Sequence, residues 1–363
     1  MSTRNVTPAH PLRVLHGTYE IAGQGMVLAA GLTAAGADAK SLAYRVDWDG
    51  RRPELIVELD PMPLPVRALA MAGTFLKLAP AFDVFHFHFG TSFLPRLADV
   101  PLLKAMGKTV VFHFHGCEVR NKAFMREHHA LAACTECDLF CRPPKQRWLL
   151  SEALKHADRV FYSTSDLAES VPGGVQLPLA IEFARWEAAG RAHALPDAPL
   201  RDGVRGPVVI AHTETSTPLI KGTRHVEAAI ELLKSEFPLL EYRHIKRRPW
   251  AEMPRTLAGC DLIVDQLFMG WYGLLAIEGM SVGRPVVCYL RPDLAGAAPD
   301  CPLVSATPET IAGTLRGLVR DPARRQALGE GGRKFARAHH DAAIVGRVLL
   351  AHYDELRAKR VGP

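Results

Sequence analysis

The sequence predicts an α/β protein made of two Rossmann-like domains. Three observations carry that prediction: short apolar runs that read as strands buried on both faces, glycine-broken loops where those runs end, and helical patterns between them in both halves. At 363 residues, with 48% hydrophobic and 23% charged residues, the chain has the length of two ordinary domains and a soluble globular composition. A linker is expected in residues 188–207, AAGRAHALPDAPLRDGVRGP, which lack hydrophobic periodicity. The expected units are residues 1–200, residues 201–345 and a C-terminal helix over 346–363.

In the first half, residues 12–15 read as a strand, the loop 17–25 (GTYEIAGQG) leads into a helix over 26–35, and Gly36 turns the chain into a second strand. Residues 65–82 mix Arg67 and Lys77 with Leu69, Met71, Phe75, Leu76 and Leu78, a pattern read as an amphipathic helix facing the core, with peripheral membrane contact as the alternative. Two further strands, 83–88 and 109–116, each end in histidines, and the C-terminal ends of such strands border the ligand crevice. Alternation puts His86 and His88 on one face, and a buried ring bonded to backbone explains His86 as well as a functional role does.

The second half opens with the strand Val208-Val209-Ile210-Ala211-His212, followed by the loop 213–222 (TETSTPLIKG) and a helix over 223–236. Residues 240–245 are strand-like and run into Lys246-Arg247-Arg248. Leu262-Ile263-Val264 is a buried strand, and Gly270 and Gly273 break the chain after it. The helix that follows draws its apolar positions from Leu274, Leu275, Ile277 and Met280 and carries one carboxylate, Glu278, on a segment too apolar to hold it casually. Gly283-Arg284-Pro285 stop the helix, and 286–290 form another buried strand, so the helix N-terminus faces the crevice where anions bind. Residues 322–360 are helical in pattern.

Residues 261–290 resemble the nucleotide-sugar site of retaining GT-B glycosyltransferases of the family 4 group, with Glu278 on the pattern's second glutamate and Gly273, Leu274, Met280, Gly283 and Pro285 on their counterparts. Gly270 stands where the pattern has its first glutamate, with Asp265 or Glu214 as substitutes. The resemblance implies a GT-B fold, two Rossmann-like domains facing a central cleft, with the C-terminal helix crossing back to the N-terminal domain. It implies that Glu278 holds the nucleotide ribose, and that the backbone of Gly273 and Leu274 meets the donor diphosphate. A second match, the Lys221-Gly222 loop after Thr213, implies that Lys221 is the cation on that diphosphate. Ser216 replaces the arginine usual in this loop, leaving Lys246, Arg247 and Arg248 as candidate replacements. In the first half, Gly23, Gln24 and Gly25 fall on a loop that approaches the sugar or acceptor, and His115-Gly116 with Glu118 is similar to a histidine–acid element beside the donor sugar. His115, Glu118, Lys221 and Glu278 are thus the expected catalytic residues.

The net charge of +6 is spread along the chain, which favours anionic small molecules, and no aromatic-interleaved basic stripe points to nucleic acid. With no leader-like N-terminus or bilayer-length apolar run, a cytoplasmic protein is expected. Among seven cysteines, Cys134, Cys137 and Cys141 cluster, and Cys117 follows the His115-Gly116 pair. Cys-x-x-Cys lets two thiolates reach one tetrahedral ion, so a structural zinc site with these four cysteines as ligands is one reading, with His128 or His129 as replacement ligands; thiols packed in the core are the other. No cofactor is expected for catalysis. The expected reaction is sugar transfer from a nucleoside diphosphate sugar to an unknown acceptor. A nucleotide-sugar epimerase and a catalytically degenerate binding or partner subunit are the alternatives.

Overall fold

Each half of the chain builds one all-parallel sheet. The computed structural model describes residues 10–46, 48–137, 141–193, 207–214 and 218–361. The first sheet contains β1 (Arg13–Gly17), β2 (Asp38–Ala43), β3 (Leu55–Ile56), β4 (Val84–His88), β5 (Thr109–Phe114), β6 (Arg159–Tyr162) and β7 (Val175–Gln176), in the order β3-β2-β1-β4-β5-β6-β7. The order reverses between β1 and β4, which opens a crevice at their C-terminal ends. There the register sets His16 beside His86 and His88 beside His113. The second sheet holds β8 (Val209–Glu214), β9 (Glu241–Lys246), β10 (Leu262–Val264) and β11 (Val286–Val287), ordered β11-β10-β8-β9 with its reversal between β8 and β10.

Apolar burial explains why these runs are strands. Phe85, Phe87, Phe112 and Phe114 of β4 and β5 are fully buried on one side of the first sheet, while Val84, Val111 and Phe161 pack on the other. Each such side chain contributes roughly 1.5–3 kcal/mol through its removal from water. In the second sheet, Ile210, Leu262 and Val264 face one core and Ala211 and Ile263 the other. Helix Phe183–Ala192 buries Phe183 and Trp186 in the second of these cores and corrects the start of the expected linker, since residues 188–192 are helical and Gly190 packs against the Val282 backbone. Most of the linker, residues 194–206, lies outside the described residues.

Helix Pro322–His340 packs against helix Leu274–Ser281, and helix Ala342–Val361 then returns to the first domain, as expected. It puts Val345, Leu349 and Tyr353 into the core beneath helix Gln24–Ala34. Gly31 and Gly346 meet backbone to backbone, and a Cβ on either would strike the other helix.

Helix Leu64–Leu78 meets the core along one narrow face, with Phe75 buried and Leu78 packed against the cluster that holds Ala79 and Phe82, and leaves most of its other apolar residues outside. Only Phe75 in it is buried, and Leu64, Leu69 and Leu76 are each more than 70% exposed, at 78%, 73% and 71%.

Candidate active site

The reversal point of the second sheet gathers the charged residues. Lys221 ends the turn after β8, and its Nζ lies 2.6 Å from Oδ1 of Asp265, which follows β10 and is fully buried. The other Asp265 oxygen accepts the backbone N–H of Gly273 at 3.1 Å. Gly222 is left-handed (φ 75°), and a Cβ there would lie 2.9 Å from Leu267, so glycine is required where the chain passes over β10. His212 donates from Nδ1 to the Val264 carbonyl (3.0 Å), which leaves Nε2 to accept the Thr223 hydroxyl at 2.9 Å. Burial pushes the His212 pKa down to about 4, against the pull of the Val264 bond, so the ring is neutral and fixes the loop to the sheet. Thr213 is buried beside it, and Ser216 lies outside the described residues.

Two helices begin at this point, Thr223–Glu236 and Leu274–Ser281, and neither N-terminus has a side-chain cap. Their first N–H groups and positive dipole ends suit a diphosphate. Glu278, one turn into the second helix, is 7% exposed, and burial raises its pKa to about 8 against the pull of Arg51 and Lys221.

Arg51 comes from the first domain and was not legible as a site residue. Its guanidinium bonds Asp49 at 2.7 Å and the Ala22 carbonyl, and packs over Trp250 of the second domain. The Trp250 N–H donates to the Asp49 carbonyl (3.0 Å), joining the two walls. Gly23 lies directly under Arg51, with φ 80° and no room for a Cβ. Arg291, also unforeseen, is a second bridge: it bonds Glu169 of the first domain at 2.8 Å, Asp293 at 2.7 Å and His129 at 2.8 Å. Gly270 is left-handed at φ 79°, its Cβ position faces the Arg291 side chain at 3.2 Å, and its carbonyl accepts the Arg291 N–H. A glutamate there would be strained, which accounts for the departure from the glutamate pattern.

Other expected donor contacts are spoken for or stand apart. Glu20 accepts the N–H groups of Gly25 (3.0 Å) and Met26 (3.1 Å), so a protein carboxylate occupies the start of helix Gln24–Ala34. Gln24 is buried, donating to the Ala180 carbonyl (3.0 Å) and accepting the Ala180 N–H (2.9 Å). Both residues therefore stabilise the first domain in the state described, with their polar groups turned to protein. Arg247 is exposed with φ 40°, while its neighbours pair with Glu214 (Lys246, 3.7 Å) and Glu252 (Arg248, 3.2 Å).

On the first domain, His115 at the end of β5 donates its backbone N–H to Glu118, and burial raises the Glu118 pKa to about 7 despite that bond. Among the described residues, no hydrogen bond or ion pair joins His115 or Glu118 to Lys221 or Glu278. All four clustered cysteines are free thiols: Cys134 and Cys137 are buried, Cys141 is half-buried and Cys117 exposed. Burial raises Cys134 to about 11. Triads of possible metal ligands within 4.8 Å of one another are, among the described residues, built from histidine: His16, His86 and His88, and His88, His113 and His115.

Comparison with solved structures matches this architecture over nearly the whole chain. Sucrose-phosphate synthase from Thermosynechococcus elongatus is similar at a TM-score of 0.66 and 15% identity, covering 96% of this chain and 100% of that one. Anabaena HepE in complex with UDP-glucose gives 0.61 at 13% identity, with 95% and 100% covered. A putative UDP-N-acetylglucosamine 2-epimerase from Listeria monocytogenes gives 0.55 at 12% identity, with 95% and 97% covered. The chain has the GT-B fold that these proteins share. No protein-family model and no curated protein matches it.

Proposed function

We propose that this GT-B chain is a retaining glycosyltransferase that moves a sugar from a nucleoside diphosphate sugar to an acceptor. The observation that carries the reading is the Lys221–Asp265–Gly273 arrangement at the reversal point of the second sheet, one helical turn from the buried Glu278. Lys221 and the two helix starts hold the diphosphate, Leu274 presents its backbone N–H to it while the Gly273 N–H stays with Asp265 and the bare Gly273 lets the chain approach closely, and Glu278 accepts from the ribose hydroxyls. Thr213 and Gly222 shape the floor, and Asp265 holds Lys221 in place. Arg51, the cation on the facing wall, takes the part left open by Ser216, with Arg247 the alternative from the second domain.

As the bond from the anomeric carbon to the phosphate oxygen breaks, negative charge grows on the departing diphosphate. Donors already aimed there stabilise it, each by about 3 kcal/mol when well placed. The departing phosphate oxygen takes the proton of the acceptor hydroxyl and guides its oxygen to the anomeric carbon on the face the leaving group vacates, so configuration is retained and the products are the glycoside and the protonated diphosphate. This work falls to Lys221, Arg51 and the helix ends; His115 and Glu118 line the sugar side. The acceptor enters from the first domain, where Tyr19, Tyr44, Lys145 and Trp148 line a pocket of about 370 Å³. Exposed Leu64, Leu69 and Leu76 beside Arg67 and Lys77 suit transient contact of a cytoplasmic protein with an acidic membrane.

The HepE complexes with UDP and UDP-glucose make uridine nucleotides the first donors to try. The epimerase likeness supports a second reading, in which nucleotide sugar turns over without an acceptor. Incubating the protein with UDP-sugars, with and without glycan acceptors, and following UDP release and sugar identity by NMR separates them. Acceptor-dependent UDP release with a retained anomeric configuration supports transfer, and sugar interconversion without acceptor replaces it by epimerisation.

A further inference from the structure

We propose that His16, His86 and His88 form a buried binding site for a divalent transition ion of the zinc class, linked through His88 to His115 at the cleft. The sheet builds it: His16 on β1 pairs in register with His86 on β4, and His88 follows two residues on, so the three rings rise from one face. Their centroids are 4.6 Å (His16–His86), 4.7 Å (His86–His88) and 5.2 Å (His16–His88) apart, and each offers a ring nitrogen within 4.8 Å of the others. All three rings have 0% exposure.

The hydrogen bonds settle which nitrogens are available. His16 Nδ1 meets His88 Nε2 at 2.9 Å, His88 Nδ1 meets His115 Nε2 at 3.0 Å, and His115 Nδ1 meets the Ser163 hydroxyl at 2.6 Å. His86 Nδ1 meets the Tyr353 hydroxyl at 2.6 Å. His16 Nε2 and His86 Nε2 are buried with no partner among the described residues. A buried N–H without an acceptor costs more than a bare lone pair, so along the run from His16 to His88 to His115 to Ser163 the protons belong on Nδ1, whereas His86 Nδ1 and the buried Tyr353 hydroxyl share one hydrogen bond in which either group can donate. Every N–H in that run is then used and the Nε2 lone pair of His16 is left bare, as is that of His86 when its Nδ1–H donates to Tyr353.

A neutral imidazole with Nδ1–H anchored and Nε2 open is the ligand form that metals take, and its anchors act as the outer shell. His88 Nε2 joins as third ligand once His16 Nδ1–H gives up its contact, while His88 Nδ1–H keeps its hold on His115. Burial also lowers the pKa of each ring, which keeps it neutral at physiological pH. An all-imidazole set selects zinc, cobalt, nickel or copper over magnesium and calcium. Bound metal would lock His88 and thereby fix the His115 ring.

Chelator-treated full-length protein titrated with Co(II) tests this. The expected result is about one ion per chain, with visible ligand-field bands, no thiolate charge-transfer band, and displacement by Zn(II). The signal should survive in Cys134→Ser and disappear in His86→Gln. If His86→Gln fails to fold, nitrogen hyperfine coupling in the EPR spectrum of Cu(II)-loaded native protein takes its place. No cobalt uptake, a thiolate charge-transfer band, or loss of signal only in Cys134→Ser overturns the proposal.

Discussion

Lys221 and Asp265 form a 2.6 Å ion pair in which the carboxylate is fully buried and also holds the Gly273 N–H. One pair thereby ties the segment after β8 to the start of the helix that carries Glu278. Removing Lys221 leaves a buried carboxylate without its cation, so Lys221→Met is expected to cost about 3 kcal/mol in urea denaturation. Adding Asp265→Asn should recover much of that stability while, on the proposed function, donor affinity stays low because the Lys221 cation is still missing.

Glu278 gives a pH signature. Burial raises its pKa from 4.5 to about 8, so between those values the folded state binds more protons than the unfolded one. Stability contributed by the protonated group is therefore present below pH 4.5 and is lost as pH rises through about 8. Glu278→Gln, which cannot ionise, should gain on the native protein by a few kcal/mol between about pH 5 and about pH 8.5 when both are unfolded by urea in the absence of nucleotide.

Arg291 holds the domains together from the second domain's side, bonded to Glu169 at 2.8 Å and only 4% exposed. Arg291→Met should open the cleft, visible as a larger radius of gyration in X-ray scattering, and lower stability by about 1.5–3 kcal/mol. An unchanged scattering curve would mean that the Arg51–Trp250 contact closes the domains unaided.

The helix crossing depends on close backbone approach. Gly346→Val forces a branched side chain against Gly31, and overpacking of this kind costs about 1–3 kcal/mol. A lowered melting temperature with the first sheet's circular dichroism intact is the expected outcome.

The parts of this molecule that sequence reveals are those encoded locally. Leu262-Ile263-Val264, the helix over 223–236 and the turn at Gly283-Arg284-Pro285 follow from short-range apolar runs and breakers, and the structure has each of them. The crossing helix and the GT-B fold followed from the motif resemblance. Arg51, Arg291 and Glu20 were invisible because their partners, Trp250, Glu169 and Gly25, are fixed only by domain closure or loop geometry. Gln24 shows the converse: its neighbours look like a ligand loop, yet its amide is bound to Ala180, 156 residues away. In helix Leu64–Leu78 the amphipathic pattern was visible, but which face met the core was not.

Isothermal titration of UDP-glucose and UDP into the native protein and into Lys221→Ala and Glu278→Ala tests the central claim most directly. Saturable binding of at least one of them to the native protein is expected, weakened roughly 10–100-fold in each folded variant, through the lost cation in Lys221→Ala and the lost ribose hydrogen bonds in Glu278→Ala. Binding of equal strength in all three proteins would contradict it, since the nucleotide would then sit elsewhere.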